Sequence, residues 1–151
     1  MINKDNNLEK YKERCLAFWY REYVERCTIA IYAPAGPDYK NINKFLDKIE
    51  MPGNFKTFWT DSEYIVENNT RRFHSTYFIG EAVPNLFINL GPGVTASYLG
   101  CTPHFTQDTV WFEQFINDWE KDDYDFDECN CMWEKTCEIT QLAVSRSVGE
   151  K

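Results

Sequence analysis

Three cysteines near the carboxyl terminus have the residue type and the close spacing that a soft metal ion requires. Cys129, Cys131 and Cys137 form a Cys-x-Cys-x5-Cys pattern whose thiolates could bind zinc. Zinc sites more often separate their ligands by about two to four residues, and the last two cysteines fall on a predicted helix. Ordinary packing of small apolar side chains explains the pattern better. We therefore predict no metal and no other cofactor.

His74 and His104 are the histidines that could act in catalysis, and the acidic residues near the carboxyl terminus could bind calcium. His74 is isolated, and His104 follows Cys101 so closely that their pairing reflects only sequence proximity. No serine has the nucleophile-elbow pattern, so we interpret His104 as structural. The carboxylates of residues 122–128 lack the glycine and the terminal glutamate of a calcium-binding loop. We expect them to be solvated.

A glycine-containing turn offers a further kind of site. The apolar run Leu86–Ile88 predicts a buried strand, and Pro92–Leu99 predicts a short helix. In α/β proteins, ligands are contacted where a strand's carboxyl end meets a helix amino terminus, and the free N–H groups there can hold an anion. Asn89, Gly91 and Gly93 are therefore candidate substrate-binding residues. Glycine also answers backbone requirements, so a purely structural turn remains the alternative.

The remaining elements alternate between helical and strand patterns. Asp61 has the residue type of an N-cap for a helix that runs to about Tyr77. Glycines at positions 100 and 149 have the character of helix ends. The further predictions are helices over 8–23, 39–49 and about 129–148, a strand over 28–32, and irregular strand and turn over 102–115.

Composition limits the classes of function. The chain has 151 residues, enough for one domain, and its 17% aromatic content with five tryptophans supplies a core. A net charge of -8 and a pI near 4.8 argue against nucleic-acid binding. There is no signal segment and no run of roughly 20 apolar residues, so we expect a cytoplasmic protein without a membrane span. The six cysteines are then expected to be reduced.

Several separated stretches of the chain resemble uroporphyrinogen-decarboxylase-like proteins. They match a bacterial branch of that superfamily better than the haem-pathway enzyme, although Cys27 stands where proline is expected. The resemblance extends over nearly the whole chain but reaches only the amino-terminal part of such a protein. The stretches are Glu22–Pro34, Thr76–Pro84, Asn89–Gly93, Leu99–Cys101 and Phe105–Trp111.

The resemblance implies an α/β fold, the amino-terminal portion of a TIM-type (β/α)8 barrel with a leading helix and inserted helical and loop segments. Residues 1–151 would form a partial domain, since a complete barrel needs about 250 residues. Residues 1–78 would be an extension with the first strand, and residues 79–151 the first strand–helix units. This expectation requires a strand at Leu86–Ile88 and a helix at Pro92–Leu99.

The resemblance also implies a reaction class: decarboxylation or corrinoid-linked methyl transfer on a small or tetrapyrrole-type ligand, with no cofactor in the haem-pathway decarboxylase. That enzyme's Arg-Gln-Ala-Gly-Arg motif is absent here, and its strand-end aspartate is replaced by Asn89. A neutral amide cannot supply the anion that pairs with pyrrole N–H groups. True uroporphyrinogen decarboxylation is therefore not expected. No catalytic residue is assigned, and the chain alone is expected to be an inactive lyase or methyltransferase fragment.

The alternative function is non-enzymatic. An incomplete barrel leaves strand edges and apolar faces uncovered, which favours association. The chain would then be an α/β module that acts by pairing with another chain, including a second copy in a homodimer.

Overall fold

The computed structural model describes residues 8–23, 25–35, 50–122 and 124–147. These residues form a mixed α/β structure of helices and two small antiparallel sheets, and no TIM-type barrel is present among them. The elements are α1 (Leu8–Trp19), β1 (Ala30–Pro34), α2 (Phe55–Thr60), α3 (Ser62–His74), β2 (Thr76–Gly80), α4 (Val94–Tyr98), β3 (Pro103–Phe105), β4 (Val110–Phe112) and α5 (Cys131–Ser147).

The chain divides into two compact units. Unit 1 contains the described part of Met1–Lys48 together with Asn69–Asn85. Unit 2 contains the described part of Ile49–Asn68 together with Leu86–Lys151. The change of unit falls inside α3, so this helix contributes residues to both.

Unit 1 is built on the antiparallel pair of β1 and β2. Ile31 lies opposite Ile79 and Tyr32 opposite Phe78, so the pleat separates two faces. On one face, the rings of Tyr32 and Phe78 meet edge to face with centroids 5.8 Å apart, and Phe73 packs on Phe78. On the other face, Ile31 and Ile79 are exposed.

Unit 2 contains an apolar core. Val66 of α3, Leu90, and Met132 and Ile139 of α5 form a cluster of buried side chains. The hairpin of β3 and β4 belongs to the same unit, and Phe105 packs against the cluster. Burial of apolar area therefore holds α3, the loop around Leu90 and α5 together.

Asparagine and aspartate side chains start three of the helices. Asn54 Oδ1 accepts the Thr57 N–H at 2.8 Å before α2. Asp61 Oδ1 accepts the Tyr64 N–H at 2.7 Å before α3, which confirms the predicted N-cap. Asn130 Oδ1 accepts the Met132 N–H at 2.9 Å before α5.

The predicted strand at Leu86–Ile88 is wrong, because these residues adopt no regular structure. Leu86 and Ile88 pack against the core of unit 2 while Phe87 is exposed. The alternation of a strand is present, but no strand of the described residues pairs with it. The predicted helix at Pro92–Leu99 is shorter, Val94–Tyr98, and Gly100 follows it with a φ of 108° as expected of a helix end.

Other predicted elements differ in their limits. α1 ends at Trp19 rather than near Tyr23, and β1 begins two residues later than the predicted strand. The helix from Asp61 ends at His74, because Thr76 already pairs with Pro34 in the sheet. α2 was not predicted. The predicted helix over 39–49 and the helix end at Gly149 lie outside the described residues.

Candidate functional site

The predicted substrate-binding residues form one tight turn between the loop at 83–89 and α4. Asn89 is exposed, and its Oδ1 accepts the Gly91 N–H at 3.1 Å. Gly91 has a φ of 101°, a conformation that favours glycine. The sequence correctly indicated a turn here, held by an asparagine side chain that folds back on its own backbone.

Both glycines of the turn are packed against β4. A Cβ on Gly91 would lie 2.6 Å from Val110 Cβ, and one on Gly93 would lie 2.7 Å from a ring carbon of Phe112. Neither contact leaves room for a side chain. Backbone conformation and close packing therefore account for Gly91, and close packing alone accounts for Gly93. Asn89 is the member of the set with an exposed side chain. Their role in substrate binding stays a prediction.

The backbone donors at the start of α4 are largely used. The Val94 N–H donates to Gly91 O at 3.3 Å, and the Ala96 N–H donates to Gly93 O at 2.9 Å. A helix of five residues with these bonds formed offers little to an anion.

The structure does not bring Cys101 and His104 together as a catalytic pair. The Cys101 thiol is buried and donates to the Glu113 carbonyl at 2.7 Å. His104 is exposed and pairs through Nε2 with the Glu113 carboxylate at 2.5 Å. His74 is the last residue of α3. These positions are compatible with the structural interpretation of His104.

The described cysteines and carboxylates near α5 do not converge on a metal site. Among the described residues, no group of three or more histidine, cysteine, aspartate or glutamate side chains could hold a metal ion. One carboxylate of the acidic stretch instead accepts hydrogen bonds from the nearby backbone. Asp122 accepts the N–H groups of Asp118 at 2.9 Å and Asn117 at 2.6 Å. These bonds lower the pKa of Asp122.

A buried carboxylate in unit 1 was missed by sequence analysis. Glu81 is only 8% exposed, and its carboxylate accepts four hydrogen bonds. Arg26 donates two of them, at 2.7 and 3.0 Å. Arg14 of α1 donates at 2.5 Å, and the Ile29 N–H donates at 2.8 Å. This Glu81 cluster joins α1, the segment before β1 and the end of β2.

The cluster perturbs the acidity of Glu81 strongly. The Arg26 hydrogen bond, with those from Ile29 and Arg14, lowers the pKa of Glu81 to about 2, although desolvation opposes the shift. The preceding residue helps to fix this geometry. Gly80 has a φ of 68°, and a Cβ there would lie 2.2 Å from the Ile29 carbonyl oxygen. No local pattern could reveal the cluster, because Arg26 and Arg14 lie 55 and 67 positions away from Glu81 in the sequence.

An open acidic cleft lies in unit 2 beside α2 and the start of α3. Its volume is about 380 Å³. Arg146 of α5 pairs with both Glu63 and Glu67, which offsets part of the charge. The cleft is lined by Glu50, Pro52, Thr57, Asp61, Glu63, Tyr64 and Glu67. Its carboxylates would attract a cationic group, but no buried polar side-chain atom in the described part of the chain lacks a hydrogen-bond partner.

No family model, curated protein or solved structure matches this chain. None of the helices in the described part of the chain combines the length and the apolar character needed to cross a membrane.

Proposed function

We propose that the chain is the amino-terminal part of a uroporphyrinogen-decarboxylase-like protein, which acts by decarboxylation or corrinoid-linked methyl transfer on a small or tetrapyrrole-type ligand. The observation that carries the proposal is the packing of the Asn89–Gly93 stretch on Val110, which lies in the resembling stretch Phe105–Trp111. Gly91 packs on Val110 of β4, and Gly93 packs on Phe112, the residue that follows the stretch Phe105–Trp111.

This packing supports the proposal because two of the resembling stretches contribute to one substructure. The TIM-type barrel belongs to the proposal for the whole protein. Two features of this chain count against the barrel: its described strands pair antiparallel, and Leu86–Ile88 is not a strand.

Asn89 is the residue through which this part would meet the ligand. Its Oδ1 is engaged by the Gly91 N–H, which orients the amide and leaves the NH2 group to donate. Such a donor suits a carboxylate or carbonyl oxygen of the ligand better than a pyrrole N–H. The proposed role of this chain is therefore binding, and the catalytic groups belong to the remainder of the protein.

Ligand titration tests the proposal. We expect uroporphyrin or hydroxocobalamin to quench the tryptophan fluorescence of the 151-residue chain saturably, and Asn89→Ala to weaken binding several-fold. Asn85→Ala is the matched control, because the described contact of Asn85 uses its carbonyl oxygen. Absence of saturable binding of both ligands, or equal affinity of Asn89→Ala and the parent chain, would contradict the proposal.

A second function is favoured by one observation, the exposed apolar face of the β1–β2 sheet. Ile31, Tyr77 and Ile79 are all exposed there. The pairing of Ile31 with Ile79 and of Ala33 with Tyr77 places these side chains on the same face. Contiguous exposed apolar side chains of this kind mark association surfaces.

The occupant we infer for this face is a second copy of the chain. The described residues on the face are uncharged, so two copies can meet there without juxtaposing like charges, despite the net charge of -8. Two-fold pairing of a self-complementary patch is the commonest form of association. The chain would then act as a non-enzymatic module.

Solution mass distinguishes this second function. We expect a dimer by light scattering that Ile79→Lys converts to a monomer, while Phe87→Lys, at an exposed position in unit 2, remains dimeric. A monomer at every concentration would refute homodimerisation. A parent chain that stays monomeric but binds uroporphyrin leaves the first proposal standing, so the two functions fail separately.

A further inference from the structure

Two neighbouring thiols are exposed at the start of α5. Cys131 is the first residue of the helix, Cys129 lies one residue before the capping Asn130, and both side chains are exposed. The other cysteines differ from this pair. Cys101 is buried, and Cys15 and Cys137 are half-buried. Cys27 is exposed, but no other cysteine lies near it in the sequence.

The outward orientation of the pair follows from the residue between them. The Asn130 side chain is half-buried: its Nδ2 donates to Ser97 O at 2.9 Å, and its Oδ1 accepts the N–H groups of Met132 and Trp133. Because Asn130 is held inward, the side chains on either side of it are turned towards solvent.

The backbone before the helix is also fixed. Asp127 Oδ1 accepts the Cys129 N–H at 2.8 Å, and the Asp127 carbonyl accepts the Asn130 N–H at 3.0 Å. These bonds close a turn from Asp127 to Asn130. The two thiols are thus exposed at a turn of unit 2 whose backbone is held by hydrogen bonds.

The spacing allows the two sulfurs to bond. Two residue steps span at most about 7 Å in extended chain, and the turn at Cys129 shortens the path. Disulfides join residues whose Cα atoms are about 4.4–6.8 Å apart. The separation that two residue steps permit therefore overlaps the range that a disulfide spans, and the small ring would make the bond strained and readily reducible.

We propose that Cys129 and Cys131 are a thiol–disulfide exchange site whose co-substrate is a low-molecular-weight disulfide. One thiolate attacks a sulfur of the co-substrate, forming a mixed disulfide and releasing one thiolate. The second cysteine thiolate then attacks the protein sulfur of the mixed disulfide and releases the other. The cysteine pair loses two electrons, the co-substrate gains them, and the protons of the two cysteines pass to the released thiols.

The site is independent of the proposed function. It uses neither the Asn89 turn nor the β1–β2 face. A reversible disulfide there would restrain the turn that contains the capping residue Asn130. Exposure of both thiols is the feature that separates this pair from Cys101, whose sulfur is enclosed and hydrogen-bonded.

The test uses glutathione disulfide as the probe. The 151-residue chain is equilibrated in glutathione disulfide and glutathione, acid-quenched, alkylated in denaturant and mapped by mass spectrometry. We expect one peptide in which Cys129 and Cys131 are unalkylated, free of glutathione and lighter by two hydrogens. Excess glutathione should reverse this change.

Single substitutions make the result decisive. Cys129→Ser and Cys131→Ser should lose the intrachain disulfide and retain a glutathione adduct on the remaining thiol. Cys27→Ser, the matched exposed control, should leave the disulfide unchanged. The proposal is overturned if Cys129 and Cys131 stay reduced, carry glutathione adducts to the same extent as Cys27, or if another pair is the dominant intrachain disulfide.

Discussion

Each of the two units is stabilised by a different kind of interaction. In unit 2, buried apolar side chains from α3, the loop around Leu90 and α5 form a core. In unit 1, the buried residues among those described are Glu81 and Ala82, and much of the large apolar surface of β1 and β2 is exposed. Unit 1 therefore depends on a charged carboxylate where unit 2 depends on apolar burial.

The difference determines which changes each unit tolerates. A packed apolar core responds to lost volume, because neighbouring side chains only partly fill a cavity. A buried carboxylate bound by two guanidinium groups responds to protonation, because the loss of its charge leaves donors without a charged acceptor. Substitution, pH and salt should thus separate the two units.

The largest effect is expected from Ile139→Ala in α5. Ile139 is 0% exposed within the core of unit 2, so truncation removes buried area and leaves a cavity. We expect a loss of about 2–5 kcal/mol in the free energy of unfolding, measured by denaturant titration. Val144→Ala is the control on the same helix, since Val144 is 57% exposed and its truncation should cost less than about 0.5 kcal/mol. Equal losses would mean that Ile139 is not a core residue.

A slightly smaller effect is expected from Gly91→Ala. The positive φ of Gly91 strains any other residue, and its new Cβ would collide with Val110. Backbone strain and overpacking should together cost about 3 kcal/mol. Gly100→Ala isolates the backbone part, because Gly100 also has a positive φ but has no atom within 4 Å of the added Cβ. Calorimetric melting should place Gly100→Ala between the parent chain and Gly91→Ala; coincident melting of the two variants would exclude the packing contribution.

The sequence was most informative where structure is local. The Asp61 cap, α5 and the turn before α4 follow from capping residues, helical periodicity and glycine, all within a few positions of each other. The strand prediction at Leu86–Ile88 failed because alternation reports which side chains are buried, whereas a strand also needs a partner. α2, six residues long, is too short to show a period.

The candidate site shows the same limit. The residue types of the Asn89–Gly93 turn indicated its geometry, but the packing of Gly91 and Gly93 on β4 depends on residues about 20 positions away. The Glu81 cluster joins three segments whose separations carry no periodic signal. A charged residue in a polar sequence gives no sign that it will be buried.

A smaller effect, specific to unit 1, is expected from Glu81→Gln. A neutral amide cannot satisfy Arg14, Arg26 and the Ile29 N–H as a carboxylate does, so we expect a loss of about 1–3 kcal/mol at neutral pH. Hydrogen exchange should show this loss in the amides of β1 and β2. Uniform loss of protection in both units would mean that Glu81 does not act locally.

The pH dependence of that loss has a defined sign. The pKa of Glu81 is lowered to about 2 in the folded chain, from about 4.3 in an unfolded chain. Its stabilising contribution is therefore complete above about pH 5 and disappears as the pH falls towards 2. The difference in unfolding free energy between the parent chain and Glu81→Gln should shrink over that range. A constant difference would show that the carboxylate charge is not the stabilising feature.

The smallest effect is expected from the exposed ion cluster of unit 2, which contains the same chemical groups as the Glu81 cluster in a different setting. Arg146 pairs with Glu63 and Glu67, and all three side chains are substantially exposed. Water and salt screen such pairs, so Arg146→Gln should cost about 0.2–1 kcal/mol. Adding 1 M salt, where the Debye length is about 3 Å, should remove most of that loss. The loss caused by Glu81→Gln should persist in salt, because the Glu81 carboxylate is enclosed. If salt abolished both losses, burial of Glu81 would not distinguish the units, and the contrast between an ionic and an apolar unit would have to be abandoned.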